Sequence, residues 1–507
     1  MKICDIIYEN EYESSNTLPE DLEVSNITRK AEEIVSGTIF FLLKSIKKEC
    51  ENILNTIKDR NDIVVVSQKE FLDEPINTCV LYVTNARLAI AYAYSRFYGI
   101  NYEKTKFVAV TGTNGKTTTA TLIKSILLNE GEKVGFIGTG KIEINGKTVS
   151  EKFYSMTTPD PEVLYAKIAE MQKENCKYII MEASSHALYY HKLAPIPFEI
   201  GIFTNLSPEH LDFHKNIEDY YETKLKLFSQ CKTGIFNCDD NFSRKALRNV
   251  KCKTSSVGIL WPSEAMAREI NQKGLSGIEY IYREESLIFK VKTQLIGAYN
   301  IYNTLLAIKA LIILNFKPCR IKEALKDIKF IPGRFEIIRG KVTVVKDYAH
   351  TSFAFENLLK TVKSLKNPKQ NIIIVFGCGG ERDKSKRPEM AKTAEKYSNL
   401  SIITNDNPRG EDENEIISDI LSGYENSEKR IVITDRKKAI QHAIMRADAN
   451  DIVIIAGKGC EDYIIDKQGY RYFSEDCVIK EALSKRAQEE EERENSFRNS
   501  PSVYGFE

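Results

Sequence analysis

The chain has no Cys-x-x-Cys pair. Its 11 cysteines are odd in number and scattered from Cys4 to Cys477. That pattern argues against a disulfide framework or a zinc site and for reduced, unlinked thiols. An excess of charge is also missing, since 72 basic and 71 acidic residues leave a net charge of +1. No global field therefore points to nucleic acid or to an anionic membrane. No apolar run approaches the roughly 18 residues of a membrane span. The opening MKICDIIYENEYESS carries acids early and has no long apolar stretch, so no secretory signal is expected. Internal repeats are absent, and low complexity is confined to the end. There Glu489 to Glu494 and a Ser/Asn/Pro-rich finish read as a solvated tail. These absences predict a cytoplasmic monomer with no nucleic-acid partner and no membrane span.

What is present is ordinary globular material, 42% hydrophobic and 28% charged over 507 residues. That length suits about three domains at roughly 150 residues each. Residues 1–104 mix short apolar runs (Ile63 to Val66, Val80 to Val83) with a helical pattern from Ala86 to Tyr98, a small α/β unit. A second pattern starts at Phe107 to Thr111, a buried-strand run followed by a Gly-containing turn and a helix from Thr117 to about Asn129. Val134 to Gly138, Tyr178 to Glu182 and Ile200 to Thr204 are further strands, which predicts a parallel sheet wrapped by helices over 105–332. After Ile331-Pro332-Gly333 come Val342 to Val345, Ile372 to Phe376, Ile402 to Thr404 and Ile452 to Ile455, each ending in a polar or Gly-rich turn. Residues 333–487 thus read as a Rossmann-like α/β domain, whose ligands bind at the strand carboxyl ends. Residues 488–507 are expected to be a charged, disordered tail.

Gly112-Thr113-Asn114-Gly115-Lys116-Thr117-Thr118 lies between a strand and a helix, the context of a P-loop. Backbone N–H groups can cradle phosphate oxygens, Lys116 adds charge toward the outer phosphates, and the Thr117 hydroxyl can hold Mg²⁺. Val110 stands where the first Gly of G-x-x-x-x-G-K-[ST] falls. Six histidines occur in all, and five of them (His186, His191, His210, His214, His350) fall in three segments that follow strands and carry carboxylates. Such clustering favours chemistry over structure. Glu182, at the end of a strand after the P-loop, suits a Mg²⁺ ligand, and His210 could complete a second metal site.

In chain order TGTNGKTT (111–118), TTPDP (157–161), MEASSHAL (181–188), FTNLSPEHLDFH (203–214), YYETK (220–224), NIYN (300–303), PGRFE (332–336), DYAH (347–350), FGCGGERDKSKRP (376–388), NDNPRGED (405–412) and GKGCEDY (457–463) resemble the motifs of the Mur ligases of peptidoglycan synthesis. The resemblance implies three domains: a small N-terminal α/β domain for a uridine nucleotide, a central P-loop ATPase-like parallel sheet, and a Rossmann-like amino-acid domain. It also implies an ATP- and Mg²⁺-dependent ligase that makes an amide bond through an acyl phosphate. Lys116 and Thr117 would bind the triphosphate and Mg²⁺. Glu182, His210 and a carbamylated Lys224 would be metal ligands. Asn303, Arg334 and Asp347 would hold ATP, with Lys116, Lys224, His210 and Arg334 catalytic. Thr157, Thr158, Ser184 and Lys192 would contact the UDP-N-acetylmuramoyl-L-alanyl-D-glutamate acceptor. Asp406, Asn407, Arg409, Gly457 and Glu461 would take the incoming amino acid. In the family the DNPR form accompanies meso-diaminopimelate. Its distal carboxylate suits a bidentate Arg409 and its ammonium suits Glu461.

The first domain departs from the family's DSR-x-V-x-PG-x-LF pattern, with Ala31-Glu32 where Ser-Arg is usual. Other departures are Glu209 for Asp, Ser352-Phe353 for Pro-Asp and Cys460 for His. They leave two other readings: a related ligase acting on a different carboxylate, and a paralogue that binds ATP without catalysis.

Overall fold

The computed structural model describes residues 1–8, 11–19, 21–44, 51–72, 75–149 and 157–498. The chain folds as two compact units. One comprises Met1–Leu206, Glu218–Ala265 and Leu306–Lys317, the other Ser207–Ile217, Met266–Leu305 and Pro318–Glu507.

The first unit holds two sheets. The N-terminal sheet has strand order Glu13–Ser14, Val80–Tyr82, Val64–Ser67, Thr38–Phe41, Asn26–Thr28, parallel except at the Glu13–Ser14 edge. Phe40, Ile57, Ile63, Val65 and Val80 form its core. The helix Ala86–Phe97 starts where Asn85 accepts from the backbone N–H of Arg87 and Leu88, which satisfies two free donors of the first turn. In the central sheet, parallel strands run in the order Lys253–Gly258, Cys231–Asn237, Phe198–Phe203, Lys106–Thr111, Tyr178–Glu182, Val134–Gly138. The apolar runs are near-continuous because both faces are covered. Phe107, Val108, Ala109, Val110, Ile179 and Ile180 are all fully buried. Each large apolar side chain so buried contributes roughly 1.5–3 kcal/mol.

The second unit carries a six-stranded sheet ordered Glu336–Arg339, Thr343–Asp347, Ile452–Ala456, Ile372–Phe376, Leu400–Ile403, Arg430–Val432, parallel apart from its first strand. Phe355, Leu359, Met390 and Ile417 pack on one face and Ala439, Ile440, Val478 and Ile479 on the other. This doubly wound arrangement brings the carboxyl ends of Thr343–Asp347, Ile452–Ala456, Ile372–Phe376 and Leu400–Ile403 to one edge. Among the described residues no helix is long and apolar enough to cross a membrane.

One expectation fails. The charged tail expected from residue 488 begins instead as helix, because the helix Glu475–Arg498 runs through it. Arg486 docks its guanidinium on the carbonyls of Ile444 and Ala447 and pairs with Glu490 one turn on at 2.8 Å. Glu490 also pairs with Lys341 at 2.8 Å. Anchored by these contacts, the acid-rich sequence extends the helix that packing began. Residues 499–507 lie outside the described residues.

Candidate functional site

The P-loop hangs between the strand Lys106–Thr111 and the helix Lys116–Asn129, with Gly115 at the helix N-cap. Gly112 takes φ +138°, and a Cβ there would run into Thr204 Oγ1, so only glycine lets the two loops approach. The neighbouring Thr204-Asn205 turn holds the loop in shape. Asn205 accepts from the Asn114 N–H at 3.0 Å through Oδ1, and its Nδ2 donates to the Asn114 carbonyl at 3.0 Å. Lys116 Nζ donates to the carbonyls of Gly112 (3.0 Å) and Thr113 (2.8 Å). Thr118 is buried one residue beyond Thr117.

Glu182 is fully buried at the end of Tyr178–Glu182. Thr117 Oγ1 donates to its Oε2 at 2.9 Å, and Thr139 donates to it from N–H (2.9 Å) and Oγ1 (3.2 Å). The hydroxyl chain continues outward. Thr139 Oγ1 reaches Thr157 Oγ1 at 3.2 Å, while Thr158 Oγ1 donates to the Glu182 carbonyl at 2.8 Å and to Ser184 Oγ at 3.2 Å. Thr157, Thr158 and Ser184 are thereby fixed to the same carboxylate residue as the P-loop. Lys224 Nζ, 1% exposed on the helix Ile217–Leu225, donates to the Gly112 carbonyl at 3.0 Å and lies 4.4 Å from the Tyr220 ring centroid.

A hydroxyl and a carboxylate oxygen beside a phosphate loop suit a hard divalent cation, so Thr117 and Glu182 fit Mg²⁺. Among the described residues no group of three or more His, Cys, Asp or Glu forms a metal cage. His210 belongs to the segment Ser207–Ile217 of the other compact unit, with φ +57° and Nε2 3.8 Å from Glu209. In that unit Glu209 Oε1 also meets His350 Nε2 at 3.4 Å.

The first unit also contains a pocket lined by Arg29, Arg87, Tyr94, Asp160, Tyr190 and Lys192. Asp160 pairs with Lys192 at 2.7 Å and with Arg29 at 2.5 Å. Burial alone would raise its carboxyl, but the two cations outweigh it and hold the group below the usual range. Reading the sequence missed Arg29 and Arg87. The Ala31–Glu33 turn follows Arg29, and Glu33 there is occupied by Lys30 at 2.6 Å and by the Thr28 hydroxyl.

In the second unit Asp347 ends its strand and accepts from the backbone N–H of Phe335 (2.7 Å) and Ala349 (2.8 Å). Burial raises its carboxyl above the ordinary value, against the pull of Arg334. The Arg334 guanidinium sits 4.2 Å from the Tyr348 ring centroid. Asn303, in the helix Tyr299–Ile313, is buried and donates to Asn300 Oδ1 at 2.8 Å.

At the adjoining strand ends Asn407 is the hub. Its Oδ1 accepts from Lys458 Nζ (2.8 Å) and the Ile465 N–H (3.0 Å), and its Nδ2 donates to Glu461 Oε2 at 3.0 Å. Tyr348 OH donates to the other oxygen of Glu461 at 3.1 Å. Arg409, at φ +54°, donates through Nη1 to the carbonyls of Gly380 (3.0 Å) and Asn407 (3.3 Å). Gly457 has φ +119°, and a Cβ there would lie 2.6 Å from Asp406 Oδ2. Burial would raise the Asp406 carboxyl, but Lys458 and Arg436 hold it low. Fully buried Lys458 and Arg436 were not legible beforehand; Lys458 lay inside a motif, whereas nothing in sequence marked Arg436. A Cβ on Gly379 would lie 3.0 Å from Arg409 Nη1 and 3.8 Å from Arg382 Cγ.

A P-loop sheet joined in one chain to a doubly wound domain, whose strand ends carry paired cations and carboxylates, defines a nucleotide-dependent enzyme that acts on small polar molecules. Residues 110–311 match the Mur ligase middle domain and residues 333–459 the Mur ligase, glutamate ligase domain. The chain is 38% identical, over 91% of its length and 94% of the relative's, to the UDP-N-acetylmuramoyl-L-alanyl-D-glutamate–2,6-diaminopimelate ligase of Aquifex aeolicus. It is 34% identical to the ligase of the same name from Clostridium tetani, over 95% and 99% of the two chains. A solved structure bearing that name superposes with a TM-score of 0.64 at 27% identity, covering 92% of this chain and 95% of the other. The chain belongs to the Mur ligase family, and like the family it is an ATP-dependent ligase.

Proposed function

We propose that the chain, acting in the cytoplasm, joins meso-2,6-diaminopimelate to UDP-N-acetylmuramoyl-L-alanyl-D-glutamate in peptidoglycan synthesis. The observation that carries the reading is the Asn407-centred network, which holds a carboxylate (Glu461) on the same group of strand ends as a guanidinium (Arg409). A ligand end bearing both an ammonium and a carboxylate suits that pair. The names of relatives at 34–38% identity agree with it.

In the reaction a carboxylate oxygen of the acceptor attacks the γ-phosphorus of ATP, and ADP leaves. The amine of the incoming amino acid then attacks the acyl carbon, loses a proton, and expels phosphate. Gly112 to Thr118 cradle the triphosphate through backbone N–H groups, and Lys116 leaves its loop carbonyls for the outer phosphates. Thr117 and Glu182 would hold Mg²⁺, which would neutralise charge on the phosphates; Lys224 (as a carbamate) and, in the other unit, His210 are further candidate ligands. Asn303, Arg334 and Asp347 orient ATP. Thr157, Thr158, Ser184 and Lys192 hold the acceptor, beside the pocket that Arg29, Arg87, Asp160 and Glu162 line.

Incubation with the acceptor, ATP and Mg²⁺ and either meso-diaminopimelate or L-lysine, followed by mass analysis, tests the reading. A diaminopimelate adduct is expected. Product with neither amino acid overturns the acceptor assignment, and product with L-lysine alone overturns the assignment of the amino acid.

A further inference from the structure

Among the described residues Arg387 heads, by size, the side chains that are buried completely. It lies in the helix Lys386–Tyr397, behind the loop that carries Arg409. Its guanidinium grips Glu411 with both arms, Nη1 to Oε1 at 2.7 Å and Nη2 to Oε2 at 2.8 Å. Nη1 also donates to Asp419 Oδ2 at 2.8 Å, and Nη2 to the Gly379 carbonyl at 3.2 Å. Glu411 Oε2 in turn accepts from the backbone N–H of Glu381 at 2.9 Å.

These bonds join two loops that follow separate strands. One loop, after Ile372–Phe376, carries Gly379, Gly380 and Glu381. The other, after Leu400–Ile403, carries Asn407, Arg409 and Glu411. Gly380 N–H donates to the Asn407 carbonyl at 3.0 Å, and the Gly380 carbonyl accepts from Arg409 Nη1 at 3.0 Å. Arg409 Nη1 is therefore held by carbonyls of both loops, Gly380 of the first and Asn407 of the second, and Arg387 with Glu411 braces the distance between them. A buried guanidinium costs several kcal/mol unless its charge is met; here Nη1 and Nη2 are bonded while Nε has no partner among the described residues, so few loop spacings keep the charge compensated. Bidentate geometry narrows those spacings further. The carboxyl of Glu411 is held far below its ordinary range, first by the Arg387 hydrogen bonds, so the clamp stays ionised at working pH.

We propose that Arg387 and Glu411 form a positioning clamp that fixes the Arg409 guanidinium for the distal carboxylate of the incoming amino acid. The clamp touches no substrate itself, and it rests on the reading of Arg409 given above. Asp419, 42% exposed at its side chain, shares the guanidinium but not the Arg409 loop, and serves as the internal control.

Steady-state kinetics of the full chain with the muramoyl acceptor, ATP and Mg²⁺ test it. Glu411→Gln should raise the KM for meso-diaminopimelate about tenfold and lower the melting temperature, while the KM for ATP and for the acceptor stay near those of the unaltered protein. Arg387→Lys, which keeps the charge and loses the fork, should raise the same KM by a smaller factor. Asp419→Asn should leave all three constants unchanged. An unchanged diaminopimelate KM in Glu411→Gln overturns the clamp. So does a rise shared equally by all three substrates, which marks a general structural role. If the unaltered protein fails to use diaminopimelate at all, the functional reading falls and the clamp with it.

Discussion

Thr117 Oγ1 and Glu182 Oε2 stand 2.9 Å apart, although 65 residues separate them in sequence. Thr117 lies in the first turn of the helix after the P-loop and Glu182 closes the strand paired in register with the P-loop strand, Glu182 opposite Val110. Parallel pairing thus delivers a buried carboxylate to the first turn of a helix whose N-terminus favours anions. Thr139 adds two donors to that carboxylate, which offsets the cost of burying it.

Glu182→Gln preserves an oxygen for Thr117 and removes the charge. The expected result is a fall in kcat of about a hundredfold or more with a much higher Mg²⁺ requirement, and a smaller change in the KM for ATP. Initial rates over a Mg²⁺ titration check it. An unchanged Mg²⁺ dependence would remove Glu182 from the metal site.

Lys224 is buried against the Gly112 carbonyl. Carbamylation would convert its buried ammonium to an anion able to ligate a cation. Intact mass under mild, bicarbonate-containing conditions should show one added CO₂, and activity should fall in CO₂-stripped buffer and return with bicarbonate. Lys224→Arg, which keeps a cation and cannot form the carbamate, should lose most activity. Full activity of that variant would rule the modification out as a requirement.

Arg409→Lys keeps a positive charge and loses the planar fork. The KM for meso-diaminopimelate should rise roughly tenfold to a hundredfold, with the KM for ATP unchanged. If the KM for diaminopimelate does not move, Arg409 is a structural link to Gly380 and nothing more.

The Arg387–Glu411 pair should also show in acid stability. The carboxyl of Glu411 is depressed from an ordinary 4.5, chiefly by its bonds to Arg387. A group depressed in the folded state contributes stability above its unfolded value and loses it as the pH falls toward the folded one. The denaturant midpoint of the unaltered protein should therefore drop on acidification below about 4.5, and Glu411→Gln should flatten that part of the profile. Parallel profiles for the two proteins would contradict the pairing.

The strands and turns that carry chemistry were legible because their signals are local. Phe107 to Thr111 followed by a Gly-turn and a helix is read within one window, as is Ile452 to Ile455 before Gly457. The pairings were not legible in the same way. Arg387 and Arg436 look like surface cations in sequence, since nothing nearby marks them as buried, and nothing marks Arg29 as lining a pocket. Glu32 stands where a family arginine is usual, and Arg29 nearby lines the pocket that Asp160 and Lys192 share. The acid-rich end looked disordered because the anchors of Arg486, the carbonyls of Ile444 and Ala447, lie about forty residues away.

The sequence by itself determined the P-loop, the order of the motifs and the run of buried strands, because apolar periodicity and the backbone demands of glycine act over a few residues. Only the tertiary structure decided which charges meet. Thr117 reaches Glu182, Asn407 reaches Glu461, and Arg387 reaches Glu411 because parallel strands bring their carboxyl ends to one edge. Once buried there, each charge is stable only beside a partner, and the fold selects that partner from residues far away in the chain.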